Sequence, residues 1–234
     1  MKIAIMQPYF LPYIGYFQLI NAVDKFVFYD DVNYIKQGWI NRNNILLQGK
    51  ASLFTIPLEK ASSFTKINDV KLHSRLFSNW KIKFLRSIEQ NYKKAPYFDD
   101  IYKLIYSVLD NDTEGIGVLA KDSIITVSKY LKLKTEFVYS SESYMNNELS
   151  SKFRVISICH KENASVYINP IGGQKLYNKE DFLSKGLELY FIQSDNHIYR
   201  QFNEEFVPWL SIIDVLMFNS IEEIQLMLNQ YSLI

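Results

Sequence analysis

The feature that most constrains the fold is a pair of short apolar runs near the start of the chain, separated by a segment of helical periodicity. The first run covers residues 2–7 and ends at Pro8, and the second covers residues 26–29 and ends at two aspartates. Short apolar runs of this length are typical of buried strands, whereas residues 13–23 repeat apolar positions at helical spacing. Strand, helix and strand in this order predict a βαβ unit with parallel strands and a right-handed crossover.

The same alternation continues along the chain. The sequence predicts an α/β fold with a Rossmann-like parallel sheet, in one domain over residues 1–234. A helical insertion or lobe is predicted at about residues 75–131, where Pro96 separates two of the helices. Further helices are predicted at 149–161, 178–185, 208–218 and 221–230, the last with a capping box. Further strands are predicted at 45–47, 52–58, 67–72, 135–139, 165–168 and 187–192, and residues 140–143 as a loop.

Composition excludes several classes of protein. Hydrophobic residues make up 48% of the 234 residues and charged residues 22%, which excludes a disordered chain, a collagen and a coiled coil. The net charge of +1 gives no bulk field for DNA. The single cysteine, Cys159, fits a helical core face, and no apolar run is long enough to span a membrane. With too few apolar residues before Pro8 for a signal peptide, we expect a cytoplasmic protein.

The first candidate site is the proline-containing loop that follows the first predicted strand. In α/β folds ligands bind beyond the carboxyl ends of strands, and the N-terminus of a helix favours an anion. Gly15 would allow a ligand or another backbone segment to come close. The alternative is a rigid surface loop whose aromatic rings pack on the sheet. The candidate substrate-binding residues here are Gln7, Tyr9, Tyr13, Gly15 and Tyr16.

The second candidate site follows the second predicted strand. Asp30 and Asp31 could bind a hydroxyl or an ammonium group, or take a proton in catalysis. Arg42 could hold a phosphate by its planar fork, and Trp39 could stack on a sugar or a base. The alternative is a solvated turn with charge pairs. Lys36 and Asn43 complete this substrate-binding group.

Two further groups are weaker candidates. His160, near the end of a predicted helix, could act as an acid or base, or it could bond a free carbonyl there. Asn169, Gly172 and Gly173 could form a phosphate nest or a plain tight turn. Ser211 and Asp214 share a helix face, for which a hydrogen-bonding pair is the commoner explanation. The three histidines lack metal-ligand spacing, so no metal site is predicted.

The first strand, loop and helix resemble the opening of the nucleotidyltransferase superfamily. The segment Tyr13-Ile14-Gly15-Tyr16 stands where that superfamily has a His-x-Gly-His motif. The resemblance implies a nucleotide-binding fold. The tyrosines in place of both histidines weaken the case for nucleotidyl transfer itself.

Over essentially its whole length, the chain also resembles the WbqC-like protein family. The resemblance rests on four segments: residues 5–17, residues 30–43, residues 167–173 and residues 206–214. Members of this family are typically encoded in bacterial O-antigen and other surface-polysaccharide gene clusters. The resemblance therefore implies a pathway better than it implies a reaction.

For this pathway we expect an acyl- or aminoacyl-transferase that modifies the amine of a nucleotide-linked sugar. Amide formation requires an activated carboxyl group, so ATP, a thioester or aminoacyl-tRNA would be needed, and the sequence does not choose among them. Two alternatives stay open: a nucleotidyltransferase-like enzyme of activated sugars, and a non-catalytic binding protein of the glycan pathway. The oligomeric state is open as well, with a homodimer as one alternative.

Overall fold

The computed structural model of the protein describes residues 1–149, 151–195, 197–202 and 205–234. Within these residues the strands are β1 (Lys2–Met6), β2 (Lys25–Phe28), β3 (Arg42–Leu47), β4 (Lys50–Thr55), β5 (Glu136–Tyr139), β6 (Val166–Pro170), β7 (Glu188–Ser194) and β8 (Tyr231–Leu233). The α-helices are α1 (Ile14–Asn21), α2 (Leu76–Tyr92), α3 (Phe98–Leu109), α4 (Ile116–Tyr130), α5 (Ser140–Ser143), α6 (Ser151–Lys161), α7 (Lys179–Leu183), α8 (Ile212–Phe218) and α9 (Ile221–Met227).

Six of the strands form a central sheet in the order β5-β2-β1-β6-β7-β8. All neighbours are parallel except β8, which runs antiparallel to β7. The helices flank this sheet, so the predicted Rossmann-like α/β fold is confirmed. The strands that follow β1 in the sheet, β2 and β5, lie on one side of it. Strands β6, β7 and β8 lie on the other side. The carboxyl ends of β1 and β6 therefore form the topological switch point, where such folds bind ligands.

The central strands are apolar because both of their faces are covered. Successive residues of a strand point to opposite faces, and Ile3 and Ile5 lie in one hydrophobic cluster while Ala4 lies in the other. The larger cluster continues from Phe26 on β2 into helices α2 to α4, for example at Ile105. The helices at 76–130 therefore pack on the same core as the sheet.

Strands β3 and β4 form a separate antiparallel hairpin outside the central sheet. Its two-residue turn is formed by Gln48 and Gly49, both with positive φ, at 50° and 76°. Two consecutive positive φ angles are the geometry that matches the right-handed twist of hairpin strands. This hairpin carries Arg42, Asn43 and Asn44 to the carboxyl edge of the sheet.

Three local expectations were wrong, and one strand was missed. The segment 67–72 contains a 3₁₀ helix, Ile67–Asp69, because the backbone of Val70 and Leu72 pairs with the segment before α4 and joins no sheet. Residues 140–143 form α5 instead of a loop. Helix α8 begins at Ile212 and not at residue 208, since Ser211 is its N-cap. Strand β8 was not predicted.

Within residues 1–149, 151–195, 197–202 and 205–234, no helix has the length and apolar character needed to cross a membrane.

The capping box at the start of α9 provides a first test of the local structure. Ser220 Oγ accepts from Glu223 N–H at 3.2 Å, and Glu223 Oε2 accepts from Ser220 N–H at 2.7 Å. We expect Ser220→Ala to lower the free energy of unfolding by about 1 kcal/mol, because Glu223 N–H loses its partner. Urea unfolding measures the change. The control Ser107→Ala, at an exposed position of α3, should change it by less than about 0.5 kcal/mol, and equal losses would contradict the capping role.

Candidate functional site

The loop between β1 and α1 is fixed at the carboxyl edge of the sheet by the backbone of Leu11. Leu11 is fully buried and has a positive φ of 44°. Its N–H donates to Ser123 Oγ on α4 at 3.1 Å. Its carbonyl accepts from Asn43 Nδ2 on β3 at 2.8 Å and from Ser211 Oγ before α8 at 2.7 Å. Three distant segments thus meet at the backbone of one residue, and together they position Tyr9 and Tyr13.

Three neighbouring cavities lie at this edge and share two lining residues, Tyr13 and Trp209. We call them the aromatic cleft, of about 360 Å³, the acidic cavity, of about 510 Å³, and the switch-point cavity, also of about 510 Å³. The aromatic cleft is lined by Tyr9, Pro12, Tyr13, Trp39, Asn43, Asn44 and Trp209. The acidic cavity has Tyr13, Asp195, His197, Tyr199, Phe206 and Trp209 in its wall. The switch-point cavity has Tyr13, Gly15, Pro170, Ser194, Asp195 and Trp209.

Trp209 is an exposed aromatic residue in a strained conformation. Its side chain is 62% exposed and its φ is 61°, a region that costs a bulky residue on the order of 1–3 kcal/mol. Its ring centroid lies 6.1 Å from that of Tyr13, with the planes inclined at 56°. Strain of this kind persists at ligand sites, so the exposed ring is a candidate ligand contact.

Trp39 also lines the aromatic cleft and is 47% exposed. Arg42 supports it, with its guanidinium carbon 5.6 Å from the centre of the Trp39 ring. Arg42 Nε also donates to the carbonyl of Gly38 at 2.9 Å. The structure therefore brings together Tyr9, Tyr13, Trp39, Arg42 and Asn43, which the sequence places in two separate segments.

Burial keeps the phenol groups of this region neutral. Desolvation, with Tyr13 nearby, raises the pKa of Tyr9 to about 12. Tyr16 is almost fully buried and donates to the carbonyl of Gln7 at 2.8 Å, so it supports the loop from below. At Gly15, a side chain would overlap the Tyr13 ring, which packs on the first turn of α1.

The predicted proton acceptors Asp30 and Asp31 lie in two buried ion pairs. Lys121 Nζ binds Asp30 Oδ2 at 2.7 Å, and Ser141 donates to the same carboxylate through its N–H and its hydroxyl, each at 3.0 Å. Asp31 pairs with Arg154 and accepts from Ser140 Oγ at 2.8 Å. These contacts join α4, α5 and α6 to the end of β2. Neither aspartate belongs to the described lining of the three cavities, and their catalytic role stays a prediction.

The remaining predicted residues do not belong to the described lining of the cavities. His160 lies in the last turn of α6, at the amino edge of the sheet, with Nε2 2.9 Å from the carbonyl oxygen of Lys185. Lys36 is exposed on the turn before Trp39. Asn169 Nδ2 donates to the Tyr167 hydroxyl at 2.5 Å. Gly172 and Gly173 belong to the 3₁₀ helix Ile171–Lys175, beside the switch-point cavity, instead of an isolated turn.

Sequence reasoning missed the residues that follow β7. Asp195 and His197 lie one and three residues beyond the end of this strand and line cavities. The rule that ligands bind beyond the carboxyl ends of strands would have found them. Trp209 was noted only as part of a motif.

Asp214 is a fully buried carboxylate behind the acidic cavity. Its Oδ2 accepts from the Tyr199 hydroxyl at 2.7 Å and from Gln201 Nε2 at 2.6 Å, and its Oδ1 accepts from the Tyr92 hydroxyl at 2.9 Å. Burial raises the pKa of Asp214, while the hydrogen bonds from Tyr199, Gln201 and Tyr92 oppose that rise. Tyr199 also lines the cavity, so the carboxylate is one side chain away from it.

These features define an α/β protein with ligand-sized cavities at the switch point of a mostly parallel sheet. The chain matches the WbqC-like protein family over residues 7–226, and it belongs to that family, as its motifs predicted. The uncharacterized protein Rv1507c of Mycobacterium tuberculosis is 26% identical over 218 residues, which cover 92% of each chain. No solved structure matches the chain. The family match suggests a role in polysaccharide-associated pathways.

The Asp30 ion pair predicts a large loss of stability when its cation is removed. In Lys121→Met the buried carboxylate keeps its charge without a partner, so we expect the free energy of unfolding to fall by about 3–5 kcal/mol. Urea unfolding followed by circular dichroism measures it. The matched control is Lys71→Met, which removes an exposed pair with Glu114 and should cost less than about 1 kcal/mol. A loss for Lys121→Met as small as that of the control would contradict the buried pair.

The adjacent glycines 172 and 173 offer a second matched test. A side chain at Gly173 would overlap the Asn169 amide oxygen, whereas a side chain at Gly172 would meet no atom within 4 Å. We expect Gly173→Ala to cost about 1–3 kcal/mol of unfolding free energy, since Asn169 must move. Gly172→Ala should be neutral or stabilising by up to about 1 kcal/mol. Thermal and urea unfolding of both variants check the difference, and equal stabilities would refute the proposed contact.

Proposed function

We propose that the protein binds a nucleotide-linked amino sugar in the aromatic cleft and transfers an acyl or aminoacyl group to its amine. The observation that carries this proposal is the cleft itself. Four aromatic side chains and two asparagines border a space of about 360 Å³, and it adjoins the switch point. Membership of the WbqC-like family supports a role in a polysaccharide pathway.

The chemistry of the cleft suits a sugar ring. Aromatic rings provide large rigid faces on which the C–H face of a pyranose can pack. Asparagine side chains provide both donors and acceptors, which match hydroxyl groups. Asn43 is already bonded to Leu11 and to the N–H of Asn44, so Asn44 is the better candidate for a hydroxyl contact. A cleft of this size falls within the range of small-molecule sites.

The phosphates of the nucleotide would lie on the Arg42 side of the cleft. Arg42 is the cation placed against Trp39, and its guanidinium can bind phosphate oxygens in pairs. Lys36 lies on the exposed turn whose Gly38 carbonyl accepts from Arg42 Nε. The described lining of all three cavities lacks lysine and arginine, and the aromatic cleft has a neighbouring cation through the contact of its lining residue Trp39 with Arg42.

In the proposed reaction, the sugar amine attacks the carbonyl carbon of an activated acyl donor. The C–N bond forms, the bond to the leaving group breaks, and the amine proton passes to a base and then to the leaving group. Asp195 is the candidate base, because it borders both the acidic and the switch-point cavities. The donor must be an acyl phosphate or adenylate made from ATP, a thioester or an aminoacyl ester.

A second candidate function is that of a non-catalytic binding protein in the same pathway. The observation that favours it is the engagement of Asp30 and Asp31 by Lys121 and Arg154, together with the position of His160 at the opposite edge of the sheet. This candidate shares the cleft with the first but lacks turnover.

Binding and turnover are tested separately. Calorimetric titration with UDP-glucosamine should show binding that Trp39→Ala and Asn44→Ala each weaken by about tenfold, the effect of one lost stacking or hydrogen-bonding contact. The control Trp80→Phe should bind normally, because Trp80 packs between Phe77 and Phe84 outside the cleft. If UDP-glucosamine does not bind, or binds equally to all variants, the proposal that the aromatic cleft is the binding site is wrong.

Intact-mass analysis of UDP-glucosamine incubated with protein, ATP and glycine, or with acetyl-CoA, measures turnover. An added acyl or glycyl mass that requires the protein supports the transferase. Binding without any mass change under either condition favours the binding protein.

A further inference from the structure

We infer that the acidic cavity is a recognition site for a primary ammonium group. This inference deepens the proposed function and rests on it only for the identity of the ligand that carries the amine. The cavity combines aromatic walls, a carboxylate at its border and a second carboxylate buried behind it.

The walls of the acidic cavity offer ring faces. Tyr13, Tyr199, Phe206 and Trp209 all line it. The faces of aromatic rings carry partial negative charge and attract cations, and tryptophan does so most strongly. Trp209 is exposed and has an unfavourable φ, so its ring borders this cavity and is not buried in the core.

The fixed charge in the described lining of the acidic cavity is negative. Asp195 lines it, and the described lining contains no lysine or arginine. His197 also lines it, with Nε2 2.7 Å from Gln18 Nε2 and Nδ1 2.9 Å from Gln230 Oε1.

Asp214 is a second, buried carboxylate behind the cavity. Burial raises its pKa, and the hydrogen bonds that it accepts from Tyr199, Gln201 and Tyr92 oppose that rise by favouring the ionised form. Within the described residues, no lysine, arginine or histidine forms an ion pair with this carboxylate. Asp30 and Asp31, in contrast, each have a buried cation. A buried charge without a counter-ion favours a cation in the neighbouring cavity.

Two parts of the proposed reaction could supply this ammonium group. One is the amine of the sugar, before it loses a proton and attacks. The other is the free α-ammonium group of an aminoacyl donor. Both present three N–H donors and one positive charge, which match a carboxylate and ring faces.

Fluorine NMR of protein labelled with 5-fluorotryptophan tests this inference. The chain has three tryptophans, and Trp→Phe variants assign the signals of Trp39, Trp80 and Trp209. The cationic probes are glucosamine and glycinamide, and their neutral counterparts are N-acetylglucosamine and N-acetylglycinamide. We expect a cationic probe to shift the Trp209 signal, and the matching neutral probe to shift it at least about tenfold more weakly, as for a lost charged hydrogen bond.

Variants separate charge from shape. Asp195→Asn should weaken the response of Trp209 to the cationic probe by about tenfold, and Asp214→Asn should weaken it as well if it folds. The matched control Asp112→Asn, on an exposed loop, should leave it unchanged. A response to glucosamine alone assigns the site to the sugar amine, a response to glycinamide alone assigns it to the donor, and a response to both supports the ammonium site in general.

The inference is overturned if no cationic probe shifts Trp209, if the neutral probes act equally well, or if Asp195→Asn binds the cationic probes like the unaltered protein. Failure of the proposed function looks different. In that case UDP-glucosamine leaves the Trp39 signal unchanged while the cationic probes still shift Trp209.

Discussion

The backbone of Leu11, through its N–H and its carbonyl, makes the contacts on which the rest of the site depends. A buried backbone without hydrogen-bond partners would be costly, and here each polar atom is satisfied by a side chain from a different part of the chain. Ser123, Asn43 and Ser211 come from α4, from the β3–β4 hairpin and from the segment before α8. The loop that carries Tyr9 and Tyr13 is therefore held by the same bonds that dock the hairpin and α8 onto the sheet. The bonds that dock the outer segments therefore also shape the cavities.

The sequence predicted those structural features that depend on residues close together in the chain, and not those that depend on distant residues. The βαβ unit, the helices at 76–130 and the capping box of Ser220 were predicted because a few neighbouring residues determine them. The partners of Asp30 and Asp31 could not be predicted, because Lys121 and Arg154 are 91 and 123 residues away along the chain. The same residue types fit a catalytic pair and a buried ion pair, and only the tertiary structure distinguishes the surroundings. Strand β8 contributes only three residues, too few for a periodic pattern.

The buried polar groups at the carboxyl edge serve two purposes. The ion pairs of Asp30 and Asp31 are complete within the chain and fasten α4, α5 and α6 to β2. Each carboxylate is balanced by a buried cation and leaves no net charge for a ligand. Asp214 accepts hydrogen bonds from three neutral donors next to a cavity, and within the described residues it forms no ion pair. The contrast separates carboxylates that hold the scaffold from one that is available to the proposed ammonium site. The aromatic residues divide in the same way, since Phe26, Phe28 and Phe84 fill the core while Trp39 and Trp209 remain exposed.

The packing of the Tyr13 ring over Gly15 has a consequence for the order of events at the site. This single ring borders all three cavities, and it lies on a helix turn that has no side chain beneath it. A rotation about its χ1 bond would enlarge one cavity at the expense of its neighbour, without disturbing the backbone. The first ligand to arrive would thereby set the shape that the second ligand meets, so the two compartments communicate through one side chain. Under the proposed function, this coupling would favour an ordered addition of the two substrates.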